Sequence, residues 1–213
     1  MSDYLDLYDY RTRVAEMYRT RRQATLNGED AASILQQFRE SRGELFVTHP
    51  QSALDQEQKQ EFQGLRYFPY NPAMCVEAGI ERDVEPQLLN VAMNAEETMT
   101  MTAVGRLHFT LEGVKVTLLL YWLNIYGGGL FLPFRDTTSP AESYGGGRYL
   151  FDTIKGSDFL QVPGVLGNER IVLDFNYAYN PSCAYSDRWV CPLAPIENRL
   201  KVSVRAGEMK FKE

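Results

Sequence analysis

Histidine and cysteine are scarce in this chain: His49 and His108 are the only histidines, and Cys75, Cys183 and Cys191 the only cysteines, among 213 residues. No CxxC, HExxH or HxH spacing occurs, so the usual ligand sets for zinc and other transition metals are missing, and neither a metal nor a cofactor is expected. Three cysteines cannot form a complete disulfide framework. The first 25 residues mix charge with aromatics and hold no apolar h-region, so no secretory signal is expected; the expected address is the cytoplasm, with Cys183 and Cys191 reduced. The longest apolar run, residues 116–123, is interrupted by Thr117 and falls far short of the roughly 20 residues a membrane helix needs, so a soluble protein is expected. Positive charge is not in excess either: 22 Lys and Arg stand against 28 Asp and Glu, a net −6. Apart from Arg11, Arg13, Arg19, Arg21 and Arg22 the basic residues are dispersed, which argues against a nucleic-acid partner, since neutralising phosphates takes a concentrated basic face.

Aromatic residues are plentiful, with 13 Tyr and 11 Phe, and they suit strands and pocket walls. Near the N-terminus the apolar spacing is helical: Leu7, Tyr10, Val14, Met17 and Tyr18 predict an amphipathic helix over residues 3–25. Asn27 and Gly28 break it, and Ala31, Ile34, Leu35 and Phe38 mark a second helix expected to end near Gly43. A short third helix over residues 53–62 would be N-capped by Ser52 and anchored by Leu54, Phe62 and Leu65.

After Asn71 the period falls to two. "AMCVEAGI", "QLLNVAM" and "ETMTMTAVGRLHFTL" read as strands, and "GRLHFTL" and "VKVTLLLYWL" flank Glu112-Gly113 as a hairpin. Leu107, Phe109 and Leu111 face one side of it, so Arg106, His108 and Thr110 face the other. "GLFLPFRD", "GRYLF", "RIVLDF" and "RLKVSVRA" complete an expected eight or nine strands. Helices first and strands afterwards describe an α+β fold, with N-terminal helices packed on a mainly antiparallel β-barrel or strongly curved sheet. A helical extension of residues 1–44 and a β-rich region of residues 45–213 are expected to form one structural unit. Self-association through Tyr4, Leu7, Tyr8 and Val14, giving a homodimer, is a further expectation.

Candidate chemistry gathers in two late segments. In residues 133–152, Arg135, Asp136, Glu142 and Tyr144 precede a GGG turn that opens into Arg148; the turn fits neither the GxxxxGK[ST] nor the GxGxxG phosphate pattern. In residues 173–208, Pro181, Pro192 and Pro195 brace a loop carrying Asp174, Asn176, Tyr179, Asn180, Glu197, Asn198 and Arg199. The two segments should close on each other, with either a ligand or side chains between them. His49, held extended by Pro50, and Glu142 are the candidate general bases. Cys183 and Cys191 read as small buried side chains rather than nucleophiles.

Taken together, "FRDTTSPAESYGGGRYL", "LDFNYAYNPSCAY", "CPLAPIENRL" and "VRAGE" resemble a widespread family of bacterial and archaeal proteins of unknown function. The likeness spans residues 48–211, and "HPQSAL" and "GLRYFPYNP" are similar to its shorter members. A tryptophan- and leucine-rich block of the longer members is absent here. The resemblance implies no reaction. It marks Arg135, Asp136, Tyr144, Gly146, Gly147, Arg148, Asp174, Asn176, Tyr179, Asn180, Cys183, Cys191, Pro192, Glu197, Asn198 and Glu208 as motif positions.

Three functions stay open. The first is binding of a small polar or anionic molecule at a barrel mouth lined by Arg135, Tyr144, Arg148, Asn176, Tyr179, Asn180 and Asn198. The second is a hydrolase or lyase using His49 or Glu142 as base, with Tyr and Asn donors stabilising an oxyanion. The third is a structural role in which the proline-braced loop plugs the barrel and its polar groups satisfy backbone atoms.

Overall fold

The computed structural model describes residues 3–92, 98–160 and 169–211. Helix α1 runs Tyr4–Leu26 and α2 runs Ala31–Thr48. Asp30 caps α2, its carboxylate accepting from the Ser33 amide at 2.9 Å. The apolar stripe extends past Phe38 to Leu45 and Phe46, so α2 continues beyond Gly43, where a stop was expected, and ends at His49. Val14, Tyr18, Leu35, Phe38 and Leu45 form one apolar cluster with Tyr177. Edge-on ring contacts link Tyr18, Phe38 and Tyr177 at centroid distances of 5.0 and 4.9 Å, which docks both helices on the 3-10 turn Phe175–Tyr177 that follows the last strand. Val14, expected to serve self-association, is turned inward, whereas Tyr4 and Tyr8 are exposed.

The third helix, α3, is shorter than predicted, Gln56–Glu61. Its N-cap is Asp55 and not Ser52, because Asp55 and Gln58 satisfy each other's amides in a capping box. Leu54 is buried beside Phe46 and Tyr185, with Phe62 and Leu65 packed against them.

Seven strands follow among the described residues: β1 Cys75–Glu81, β2 Leu88–Ala92, β3 Thr98–Leu111, β4 Val114–Leu123, β5 Gly129–Phe134, β6 Arg148–Asp152 and β7 Arg170–Asp174. They form one antiparallel sheet in the order β6-β5-β4-β3-β1-β7, with β2 on β3 beside β1. Beyond β7 the chain crosses a 3-10 turn and reaches round to β6. Tyr149 and Tyr179 there exchange both backbone hydrogen bonds, at 2.8 and 3.0 Å, and close the curl.

The β3–β4 hairpin carries its turn at Glu112 and Gly113, both at positive φ, the geometry that matches the twist of the flanking strands. Leu107, Phe109 and Leu111 point into the curl with Leu118, Leu132, Phe134, Leu173 and Phe175, while His108 faces solvent beside Glu81. Pairing slips by one residue between Ala103 and Gly105. A one-residue slip exchanges the two faces, so Met101 and Ala103 bury on the opposite side, with Tyr121, Phe131 and Tyr149.

"RLKVSVRA", expected as a strand, is irregular chain with one isolated parallel bridge from Arg135 to Arg199. Backbone bonds to Arg135 and Thr137 hold residues 200 and 202, and the main-chain groups of Val204 and Ala206 are taken by side chains, as described below. Near its end Gly207 holds φ +74, and a Cβ there would stand 2.4 Å from the Ala178 carbonyl oxygen. Gly207→Ala is therefore expected to cost about 2–4 kcal/mol, the sum of a left-handed backbone and a contact with main chain that cannot yield. Gly113→Asn, at a turn that accepts asparagine in open space, should change stability by less than about 1 kcal/mol. Urea midpoints at unchanged m-value measure both.

Candidate functional site

Arg148 opens β6, and its side chain is fully buried. A guanidinium carries five N–H donors in a fixed fork. Nη1 donates to the carbonyls of Ala206 (2.5 Å) and Glu208 (3.0 Å), and Nη2 donates to the Val204 carbonyl (2.8 Å) and to Asp136 Oδ1 (3.0 Å). The other oxygen of Asp136 accepts from the amides of Val204 (2.7 Å) and Thr138 (3.1 Å). Four of the five donors are thus committed within the protein, and residues 204–206 are held by an ion pair instead of a strand ladder. The rings of Phe134 and Phe68 lie near the guanidinium, 5.1 and 5.7 Å from its carbon.

Glu208 makes a second buried knot. Oε1 accepts from Arg42 Nε at 2.6 Å, and Oε2 accepts from the Asn180 amide (2.8 Å) and the Tyr185 hydroxyl (2.5 Å). Burial acts to lower the Arg42 pKa, and the Glu208 carboxylate overcomes it, so the guanidinium holds its proton more tightly than usual.

Two asparagines act as substitute peptide units. Asn198 accepts from the Leu119 amide (2.8 Å) and donates to the carbonyls of Leu119 (2.9 Å) and Pro133 (2.8 Å), bridging β4 to β5 where their own pairing has ended. Asn176 does the same for Asn71, accepting at 3.0 Å and donating at 2.9 Å, and its amide nitrogen also reaches Asp174. Asp174 in turn lies 3.5 Å from the buried Arg21, whose guanidinium stacks on Tyr177 at 3.7 Å.

The remaining candidates are dispersed. Arg135 Nε bonds Ser139 at 3.1 Å on a half-buried rim. Glu142 pairs with the exposed Arg205 at 3.1 Å. His49 is buried at the end of α2: Nδ1 accepts from the Gln51 amide (3.0 Å) and Nε2 lies 3.0 Å from Asp9, so the imidazole links α2 to α1. This partnership lowers the Asp9 pKa, the hydrogen bond from His49 being the largest cause. Tyr144 lies 3.6 Å from the Cys183 sulfur. The GGG turn and the proline-braced loop do close on each other, with side chains between them. The Ala194 amide donates to Gly146, the Tyr149 hydroxyl donates to Pro192, and Leu193 covers Gly146.

Tyr179 and Asn180 are the two predicted residues that line a common cavity, of about 50 Å3, between the helices and the segment after β7. Its other walls include Tyr10, Tyr18, Arg42, Lys155 and Tyr185. Tyr179 bonds Ser157 at 2.6 Å. Burial raises the Tyr18 pKa to about 12, so its hydroxyl stays a neutral donor. Asn180 gives its amide nitrogen to the Met209 carbonyl at 2.8 Å, while its buried Oδ1 has no hydrogen-bond partner. Larger grooves, of about 300 Å3 between α1 and α2 and about 540 Å3 beside Phe62, are lined by none of the buried unpartnered polar atoms. Arg42 went unnoticed in the sequence. Its signal is position, because it falls between Phe38 and Phe46 at steps of four on the buried face of α2.

A family model described as "Protein of unknown function (DUF1684)" matches residues 60–209. This match lies inside the span of the resemblance noted from the motifs. Among solved structures, the chain is similar to an uncharacterized protein of Haloarcula marismortui determined by solution NMR. The two are 34% identical with a TM-score of 0.61, over 85% of this chain and 95% of that one. No curated protein matches.

Arg148→Met strands the Asp136 carboxylate in the interior and is expected to cost about 3–5 kcal/mol. Asn198→Ala leaves buried backbone groups without partners and should cost about 1–3 kcal/mol. Glu142→Gln, at a surface pair, should cost less than about 1 kcal/mol. Chemical denaturation of the three variants checks the order.

Proposed function

Because the chain belongs to this family of proteins of unknown function, with no relative's activity to carry over, we propose from its geometry that it binds a small anionic molecule bearing a hydrogen-bond donor. The site is the cavity walled by Tyr18, Arg42, Lys155, Tyr179 and Asn180. The observation that carries the reading is the Asn180 side-chain amide oxygen, which belongs to a residue of this wall, is buried and has no hydrogen-bond partner. A ligand N–H or O–H would satisfy it. Arg42 and Lys155 contribute the cations at this wall, each already beside a carboxylate, Glu208 at 2.6 Å and Asp152 at 3.9 Å, and the neutral tyrosines supply donors and apolar wall. A free volume of about 50 Å3 suits a ligand of few heavy atoms, such as a short hydroxy- or amino-carboxylate.

This reading moves the binding arginine from Arg135 and Arg148 to Arg42. A hydrolase or lyase has less support, since His49 and Glu142 lie apart, each with its own partner, and neither lines this cavity. A purely structural role for the motif residues is favoured by one specific observation: Asp136, Arg148, Asn176, Asn198 and Glu208 all bond main-chain groups. The two readings are compatible. The motif residues build the frame, and the cavity lies against it.

A thermal-shift screen of short carboxylates, phosphate and amides tests the proposal. At 100 times its Kd a ligand adds about 2.7 kcal/mol. For a chain of this size that raises Tm by about 5–10 °C. Lys155→Ala and Tyr18→Phe should shrink the shift, and the absence of any stabiliser from such a panel overturns the proposal.

A further inference from the structure

We infer that the outward face of α1 is a self-association surface, which pairs antiparallel with the same face of a second copy of this chain. This inference is independent of the cavity reading, because the α1 residues at the cavity, Tyr10, Val14 and Tyr18, lie on the other side of the helix.

Helix α1 docks on the body through Val14, Tyr18, Arg21 and Ala24, which are buried. The opposite stripe follows the same steps of three and four, from Leu5 through Tyr8, Thr12, Glu16 and Arg19 to Leu26, and each of these residues is exposed. A helix face turned to solvent ordinarily carries polar side chains. Here Tyr4, Leu5 and Tyr8 stand 78%, 77% and 73% exposed at one end, and Leu26 is 46% exposed at the other. Scattered apolar residues are normal on a surface, whereas three large ones side by side form a patch.

The order of charge along α1 argues for what covers this patch. Residues 3–9 hold Asp3, Asp6 and Asp9 and no base, whereas residues 11–22 hold five arginines and one acid, Glu16. Arg13 is spent on Asp9 and Arg21 on Asp174, which leaves Arg19 and Arg22 as the exposed bases of the second half. Arg19 lies beside Glu16, but both side chains are more than half exposed, so that surface pair costs little to rearrange. A helix divided in this way is complementary to itself only when reversed. Laid antiparallel about a twofold axis between Thr12 and Glu16, two copies bring Asp6 of one level with Arg22 of the other and Leu5 level with Gln23, a turn short of Leu26. Tyr8 comes level with Thr20, a turn from Arg19, where ring and guanidinium can meet. Parallel pairing would set aspartates against aspartates. An anionic membrane surface would meet the same aspartates beside Tyr4, Leu5 and Tyr8, so it suits the patch less well than a second copy does. The helix is about 35 Å long, enough for an interface of the small, exchangeable class.

Sedimentation velocity of the native chain tests this at concentrations on the order of 100 µM, where an association of micromolar affinity is largely complete. The expected result is a concentration-dependent dimer. Leu5→Asp combined with Tyr8→Asp should weaken it at least about tenfold. Asp3→Arg with Asp6→Arg gives α1 two basic ends, and Arg19→Glu with Arg22→Glu gives it two acidic ends; each double variant alone should dimerise at least about tenfold more weakly than the native chain. An equimolar mixture of the two should assemble again as a one-to-one heterodimer, a rescue that misfolding of either variant cannot imitate. The measurement on the native chain depends on no variant. A native chain that stays monomeric, including one that instead co-sediments with phosphatidylcholine–phosphatidylserine vesicles, overturns the inference. So does a dimer indifferent to the changes at Leu5 and Tyr8, or a mixture of the charge-reversed variants that does not assemble.

Discussion

The path of residues 204–206 depends on one buried guanidinium. Arg148 binds the carbonyls of Val204, Ala206 and Glu208 and the carboxylate of Asp136, which in turn holds the Val204 amide. A strand ladder would meet the same backbone needs through a neighbouring strand in regular register. Here an ion pair meets them at irregular spacing, so the segment is free to bend at Gly207 and bring Glu208 under Arg42 and Tyr185. Burying two charges is costly when they are isolated, and the arrangement is tolerated because nearly every polar atom of the pair is bonded. What the pair supplies is specificity of path: no other route for residues 204–208 places three carbonyls on one arginine.

The same substitution of side chain for backbone recurs. Asn176 and Asn198 pair with the N–H and C=O of single residues, Asn71 and Leu119, and tie two 3-10 turns to distant chain. Much of the polar character of the late motifs is therefore consumed in joining irregular segments to a regular sheet. The helices add their own charges to this frame, Arg21 to Asp174 and Arg42 to Glu208, which makes them part of the fold's polar interior as well as its apolar one.

Local periodicity made the helices and the β3–β4 hairpin legible in the sequence, because alternation at Leu107, Phe109 and Leu111 and the Glu112-Gly113 turn are properties of neighbouring residues. The path of "RLKVSVRA" was not legible: its alternation suits a strand, and the distant partners Arg135, Asp136, Thr137 and Arg148 decide otherwise. The candidate site divided in the same way. Residue type identified Arg148, Asn176 and Asn198 as polar groups on a rigid frame, yet an arginine that binds a ligand and one that binds its own carbonyls are identical in sequence. Tyr179 and Asn180 reach the cavity, while its arginine, Arg42, lies on a helix face that reads as apolar. Buried charge on an amphipathic stripe is the signal such a reading should weigh.

The backbone exchange between Tyr149 and Tyr179 has a consequence for assembly. A curled sheet normally ends in two strands whose outer N–H and C=O groups can recruit another chain, and such edges are where sheets aggregate or swap. In this protein β6 is met by Tyr179 and by Ser157, and β7 is met at Val172 by Leu160. Both terminal strands are met by the chain itself at these positions. Association with a second copy through these strands would have to break native pairing, leaving side-chain surfaces such as the exposed Tyr4 and Tyr8 of α1 as the route that costs the sheet nothing.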